Sequence, residues 1–342
     1  MAEITESVPS PGISKGLSLA KVAVVAYHHR TITISFALTI GICPDTIKTF
    51  LKRPCGSPQG RFFLVFPLQK GTLKMNPNNA SIQPVIEGLG YTQHGTGPEC
   101  VLVLHDWLGD HTSYDSVIPY LDGAMFTYVF ADLRGYGKSF HITGNYTVQE
   151  IAADCLKLAD SLGWQHFHLM GHSMTGMAVQ RIAADAPSRI KSVVAVCPIS
   201  AAGNQMNDEA LNFFASTGES DDNFRRLIKY VSGGLSDQWA NAKLRQNRET
   251  VAPACRLGYL NMLTKTNFVN DVRGLEMPYL IVIAERDPGL DEDAMKNTFL
   301  AWYPNAELLT IPNCGHYPMQ ECPPYFATII EKFLHSQIRI RR

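Results

Sequence analysis

The sequence has no paired cysteines. Its eight stand singly at 43, 55, 100, 155, 197, 255, 314 and 322, with no C-x-x-C among them, and structural zinc needs thiolates at short spacing. A disulfide framework is equally unexpected in a chain of 342 residues, which can build its own core. Buried, reduced cysteines in a cytoplasmic protein without a metal are the expectation. Charge of one sign is also missing: 30 Lys and Arg against 31 Asp and Glu leave a net charge of −1, so no nucleic-acid partner is expected. There is no acidic or basic tail and no internal repeat. A bilayer-spanning helix would need about 20 apolar residues, whereas the run ITISFALTIGIC at 32–43 has twelve. No stable membrane association is expected. What is present, 45% apolar and 18% charged residues, is the composition of an ordinary globular protein.

Residues 1–80 read unlike the rest. The run at 32–43 lies too far from the N-terminus for a secretory signal, and no small-x-small cleavage site follows it. An accessory extension, an atypical export signal, or residues that are disordered or foreign to the native protein are the readings left. The last is favoured, because Met75 shortly precedes a self-sufficient pattern of elements.

From residue 81 onward, strand-like and helix-like segments alternate, the mark of a mostly parallel sheet flanked by helices. Continuous apolar runs at 100–105, 126–132, 166–170, 192–196, 279–284 and 307–311 read as strands buried on both faces. Thr147 and Glu150 form a capping box at the head of a helix that Gly163 stops, and a second helix begins at Met174 and ends at Pro187. Residues 200–268 break the alternation with helical stretches punctuated by Gly218, Gly233, Gly234 and Pro253. They read as a helical lid inserted into a core made of 81–199 and 269–338. Aromatic and Met residues of this segment, among them Phe213, Phe214, Tyr230, Trp239, Tyr259 and Met262, are expected to pack on the body, some facing a pocket. Its basic residues Arg225, Arg226, Lys243, Arg245, Arg248 and Arg256 read as solvated.

The chemistry-bearing segments lie at strand ends. Gly171, His172, Ser173, Met174, Thr175 and Gly176 join an apolar strand to a helix, as in the G-x-S-x-G elbow that exposes a nucleophilic serine. Thr175 takes the second small position and Gly176 follows one residue later. Taken alone, the segment could equally be a β–α turn that happens to hold a serine.

Four further segments match in order, and over residues 82–336 the sequence resembles the α/β-hydrolase superfamily. His105, Asp106, Trp107, Leu108 and Gly109 resemble its H-G-x-x-G loop, with Asp106 where that family has glycine. Asp132, Arg134, Gly135, Gly137 and Ser139 resemble its D-x-R-G-x-G-x-S loop, read as structural. Asp287, with Glu285 and Asp291 as competitors, follows a buried strand where the family places its acid, and Gly315-His316 follows the last strand. The resemblance implies Ser173 as nucleophile, His316 as base, Asp287 as its orienting acid, and the backbone N–H groups of Trp107 and Met174 as the oxyanion hole. The three side chains should meet in hydrogen-bonded series at the sheet's edge.

The implied activity is cleavage of a small carboxylic ester through an acyl-enzyme, with no cofactor, in a monomer or homodimer. Two alternatives use the same triad: a lactonase, and a carbon–carbon bond hydrolase acting on a ring-cleavage diketone. A non-catalytic ligand-binding protein on the same scaffold is the alternative of another class.

Overall fold

The computed structural model describes residues 88–340, together with the backbone of three earlier strands. The latter are β1 (Lys21–His28), β2 (Thr31–Leu38) and β3 (Phe63–Pro67), which form an antiparallel sheet in the order β2-β1-β3. They belong to one compact unit, 1–87, and the rest of the chain to another, 88–342. The expectation that residues 1–80 are disordered or foreign lies, apart from these strands, outside the described residues.

The second unit is built on a seven-stranded sheet. Its strands are β4 (Tyr91–His94), β5 (Glu99–Leu104), β6 (Phe126–Ala131), β7 (Phe167–His172), β8 (Ile190–Val196), β9 (Tyr279–Ala284) and β10 (Ala306–Ile311). They lie in the order β10-β9-β8-β7-β5-β6-β4, and all pairs are parallel except β4 with β6. Each apolar run identified in the sequence falls on one of the six parallel strands. β7 and β9 are buried along their whole length, which is why their sequences show no polar alternation. The four-residue edge strand β4, YTQH, carries no such run and is not apparent in the sequence.

Helices α1 (Val148–Ser161) and α2 (Met174–Asp185) pack on each other and join the central strands. Thr147 caps α1 by accepting from Glu150 N. The Glu150 carboxylate, however, accepts from Tyr146 N at 2.9 Å rather than from the cap residue, so the box closes one residue early. Gly163, at φ +75°, ends α1 in the left-handed conformation glycine favours.

Between β8 and β9 run α3 (Asp208–Ser216), α4 (Asp221–Val231), α5 (Asp237–Thr250), α6 (Pro253–Lys265) and α7 (Val269–Val272). Asn207, Ser220 and Ser236 each cap their helix by accepting a backbone N–H of its first turn. Two basic residues of this segment are not solvated: Lys243 and Arg256 are buried, at 3% and 9% exposure. Lys243 bonds Gln246 Oε1 and Ser113 Oγ, and Arg256 donates to Gly218 O. Tyr259 and Met262 are core residues, whereas Tyr230 is exposed.

Candidate active site

The chain lays β6 and β4 on one side of β5, then β7, β8, β9 and β10 on the other. The loops leaving β5 and β7 therefore part at the carboxyl edge of neighbouring strands, the position where open α/β sheets take ligands. The first of these loops carries Trp107 and the second carries Ser173.

Ser173 has φ 55° and ψ −113°, a backbone conformation that non-glycine residues avoid and that persists only where the surroundings enforce it. They do so here through Ser173 N, which donates to Val196 O at 2.9 Å, and Ser173 O, which accepts from Gly176 N and Ile199 N. Two close approaches need glycine. A Cβ on Gly171 would stand 2.4 Å from Thr175 O, and one on Gly176 would stand 2.3 Å from Pro198 Cβ.

Thr175, in the position where a small residue is usual, works as a tie. Its hydroxyl accepts from His172 N at 2.9 Å and has His105 O at 2.9 Å and Leu104 O at 3.1 Å as acceptors for its proton. The buried hydroxyl thus joins the turn after β7 to the end of β5.

The backbone N–H groups of Trp107 and Met174 donate to no acceptor among the described residues. The Met174 N–H opens α2, where the helix dipole favours negative charge. His105 fixes the loop before Trp107: its Nδ1 lies 2.7 Å from Asp106 O, and its Nε2 accepts from Leu133 N at 3.1 Å. The ring therefore carries its proton on Nδ1 and bridges two loops.

Asp287 follows β9, and its Oδ2 lies 2.6 Å from Nδ1 of His316, which follows β10. Both residues are buried. The two competing carboxylates are engaged elsewhere, Glu285 with Asn313 N and Asp291 with the head of a short helix at Ala294 N. Burial alone would lower the pKa of His316, but its carboxylate neighbours, Asp287 foremost, outweigh it and hold the imidazole above its ordinary value. Backbone bonds seat His316: its N–H donates to Val231 O, and Glu321 accepts from the flanking N–H groups of Gly315 and Tyr317.

Ser173, Asp287 and His316 border one cavity of about 190 Å³, together with Asp106, Trp107, Leu108, Phe214 and Tyr317. Of the two links expected in the series, the one from acid to histidine is formed. No hydrogen bond joins Ser173 Oγ to His316 among the described residues; such contacts commonly tighten only when substrate is bound. Phe214, from α3, is the one aromatic residue expected in the inserted segment that lines the cavity. No lysine or arginine lines it among the described residues.

Two residues beside the site carry no signal in the sequence. His172 places Nε2 2.7 Å from the carbonyl oxygen of His316, and burial drives its pKa down to about 3, so the ring is neutral. Tyr317 donates its hydroxyl to Asp106 Oδ2 at 3.0 Å. Each is next in sequence to an expected catalytic residue, and only the three-dimensional packing gives it a partner. The loop expected to be structural is so: Asp132 accepts from His111 N and Lys138 N, and Arg134 holds Asp154 through two nitrogens.

A family model described as alpha/beta hydrolase fold matches residues 99–321. A 2-hydroxy-6-oxononadienedioate/2-hydroxy-6-oxononatrienedioate hydrolase of Pseudomonas sp is 23% identical over 259 residues, covering 70% of this chain and 89% of that one. A pimeloyl-[acyl-carrier protein] methyl ester esterase of Nitrosomonas europaea is 24% identical over 258 residues, covering 69% and 96%. Two other curated relatives match over only 109 and 104 residues, and this chain spans 29% and 34% of their length. Among solved structures, a bromoperoxidase from Bacillus anthracis superposes with a TM-score of 0.66 at 23% identity, covering 72% of this chain and 94% of that one.

Proposed function

The chain belongs to the α/β-hydrolase fold family, and from that premise we propose that it is a serine hydrolase cleaving a small, uncharged carboxylic ester through an acyl-enzyme on Ser173. The observation that carries the proposal is the buried 2.6 Å bond between Asp287 and His316 at a cavity that Ser173 also borders. In this reading His316 accepts the Ser173 proton as the hydroxyl attacks the ester carbonyl, and Asp287 fixes the imidazole tautomer and offsets its developing charge. The N–H groups of Trp107 and Met174 receive the oxyanion, each worth roughly 10²–10³ in rate. His316 returns the proton to the leaving alcohol, then activates the water that releases the acid. The helices between β8 and β9 act as a lid, with Phe214 as an apolar wall.

The preference for an uncharged ester over a ring-cleavage diketone rests on the cavity wall. The Pseudomonas relative is named for a dicarboxylate substrate, and a carboxylate moved into a partly desolvated site needs a cation or several donors. Here the wall bears Asp106 and Asp287 and no lysine or arginine among the described residues. The buried cations Lys243 and Arg256 are engaged outside it. The Nitrosomonas relative, named for a methyl ester, is the better chemical guide.

A fluorophosphonate probe tests the reading: it should label the protein once, at Ser173, and Ser173→Ala should stay unlabelled. Absence of labelling in the folded wild type would leave a non-catalytic binding protein as the better description. Faster turnover of a dienoate diketone than of p-nitrophenyl acetate would replace the ester assignment with carbon–carbon bond hydrolysis.

A further inference from the structure

Asp106 is the one residue of the loop after β5 that departs from the pattern the chain otherwise resembles, and it is 2% exposed. A carboxylate placed there without compensation would be strongly disfavoured by desolvation. Its Oδ2 accepts from Leu108 N and from the Tyr317 hydroxyl, both at 3.0 Å. Its Oδ1 has no hydrogen-bond partner among the described residues.

The compensating charge comes from the inserted segment. Lys243, on α5, is itself buried, and its ammonium stands 4.7 Å above the Tyr317 ring. Gly109 lies beside both head groups. A Cβ built there would meet Ser113 Oγ first, then Asp106 Oδ1 at 2.8 Å and Lys243 Nζ at 3.1 Å. The absence of a side chain at Gly109 thus leaves room for a hydroxyl, a buried carboxylate and a buried ammonium together.

We infer that Asp106 is a positioning residue: its carboxylate, balanced by Lys243, joins the loop bearing the Trp107 N–H to the loop bearing His316 and biases His316 electrostatically. The inference rests on the proposed roles of Ser173 and His316. Two loops are bonded to this one carboxylate, its own through Leu108 N and the segment after β10 through Tyr317, and Lys243 on α5 acts on it as a nearby charge.

Other titratable groups face the cluster. His172 approaches from β7, His105 from the same loop, and Tyr114 and Tyr136 from neighbouring loops. His172 and both tyrosines are neutral at pH 7, which leaves Lys243 as the basic side chain that faces Asp106 from α5. Despite its burial, Asp106 is held down to about 2, with Lys243 foremost among the charges that favour its ionised form, while burial draws Lys243 below its ordinary value against the pull of Asp106 and Asp110. His316 in turn faces Asp287, Asp106 and Glu321, and all three favour its charged form.

The pH dependence of fluorophosphonate labelling separates charge from mere structure. Asp106→Asn keeps the shape and an acceptor oxygen but removes the charge, and should move the acid midpoint of the labelling rate down by about one unit. Tyr317→Phe removes the tie and keeps the charge; it should slow plateau labelling about tenfold without that displacement. If Asp106→Asn fails to fold, the double variant Asp106→Asn/Lys243→Gln leaves no uncompensated buried charge. Its midpoint should also fall, since it is the carboxylate that Tyr317 ties to the histidine loop.

A folded Asp106→Asn or double variant with the wild-type midpoint overturns the inference while leaving the nucleophile assignment intact. A wild type that never labels removes that assignment instead.

Discussion

The Nε2 atom of His172 lies 2.7 Å from the backbone carbonyl of His316. A carbonyl only accepts, so Nε2 carries the proton, and the residue before the proposed nucleophile holds the main chain of the proposed base. The ring is kept neutral by burial and by its neighbour His316, so the tie does not titrate near pH 7. His172→Phe should strand a buried acceptor at a cost of about 1–3 kcal/mol. The expected result is a lower urea midpoint, and labelling of Ser173 slowed by more than the stability loss explains.

The acid dependence of the proposed reaction follows from His316. Protonated imidazole cannot accept the Ser173 proton, and its neighbours hold its pKa above the ordinary value of 6.5. Activity should therefore rise with pH through a midpoint above 6.5 and fall away below it. A profile of kcat/KM on p-nitrophenyl acetate from pH 5 to 9 reads this directly. A midpoint below 6.5 would contradict the assignment of His316 as a base paired with a buried carboxylate.

Of the carboxylates Glu285, Asp287 and Asp291 that follow β9, only Asp287 reaches the imidazole. Asp287→Asn should lower kcat by about 10³–10⁴, since the amide cannot hold the required tautomer. Glu285→Gln and Asp291→Asn should stay within about threefold of wild type in activity, because each keeps an acceptor oxygen for its loop bond or helix cap and neither carboxylate touches His316. Steady-state kinetics on the three variants distinguish them.

The turn at Ser173 can be probed from both sides. Thr175→Val keeps the volume but removes a hydroxyl serving the ends of both β5 and β7, and should destabilise by about 1–3 kcal/mol. Thr175→Ser should recover most of that. Gly176→Ala would set a methyl 2.3 Å from Pro198 Cβ, so α2 must shift and the strained serine relax. Labelling should fall with little change in circular dichroism.

A chain beginning at Met75 is proposed to fold and to label at Ser173, since every residue of the candidate site lies in the unit 88–342. Loss of folding on truncation would assign residues 1–74 a part in the native protein.

What could be read in the sequence follows from where side chains must be apolar. A parallel strand buried on both faces leaves a run such as CVLVL or YLIVIA, and the loop after each run is where chemistry sits. Ser173, Asp287 and His316 could therefore be picked out. The edge strand Tyr91–His94 left no trace, because one ladder of backbone bonds suffices for it and its side chains need not be apolar. Lys243 is indistinguishable in sequence from its exposed neighbours on α5, since its burial depends on a carboxylate in the loop after β5. Thr175 looked like a poor fit to a motif and proves to be a three-way tie, a role set by carbonyls from two other segments.

The bonds between the inserted helices and the loop after β5 carry an evolutionary corollary. Trp107 Nε1 donates to Arg256 O, Asn247 Nδ2 to Leu108 O, and Gln246 Nε2 to Asp110. Family members are often imagined as interchangeable bodies and covers. Here the inserted segment is bonded to the very loop proposed to receive the oxyanion, so a chimera given another member's insertion would inherit an unsupported loop. Retuning this protein for new substrates is better attempted by replacing single wall residues than by exchanging the whole segment.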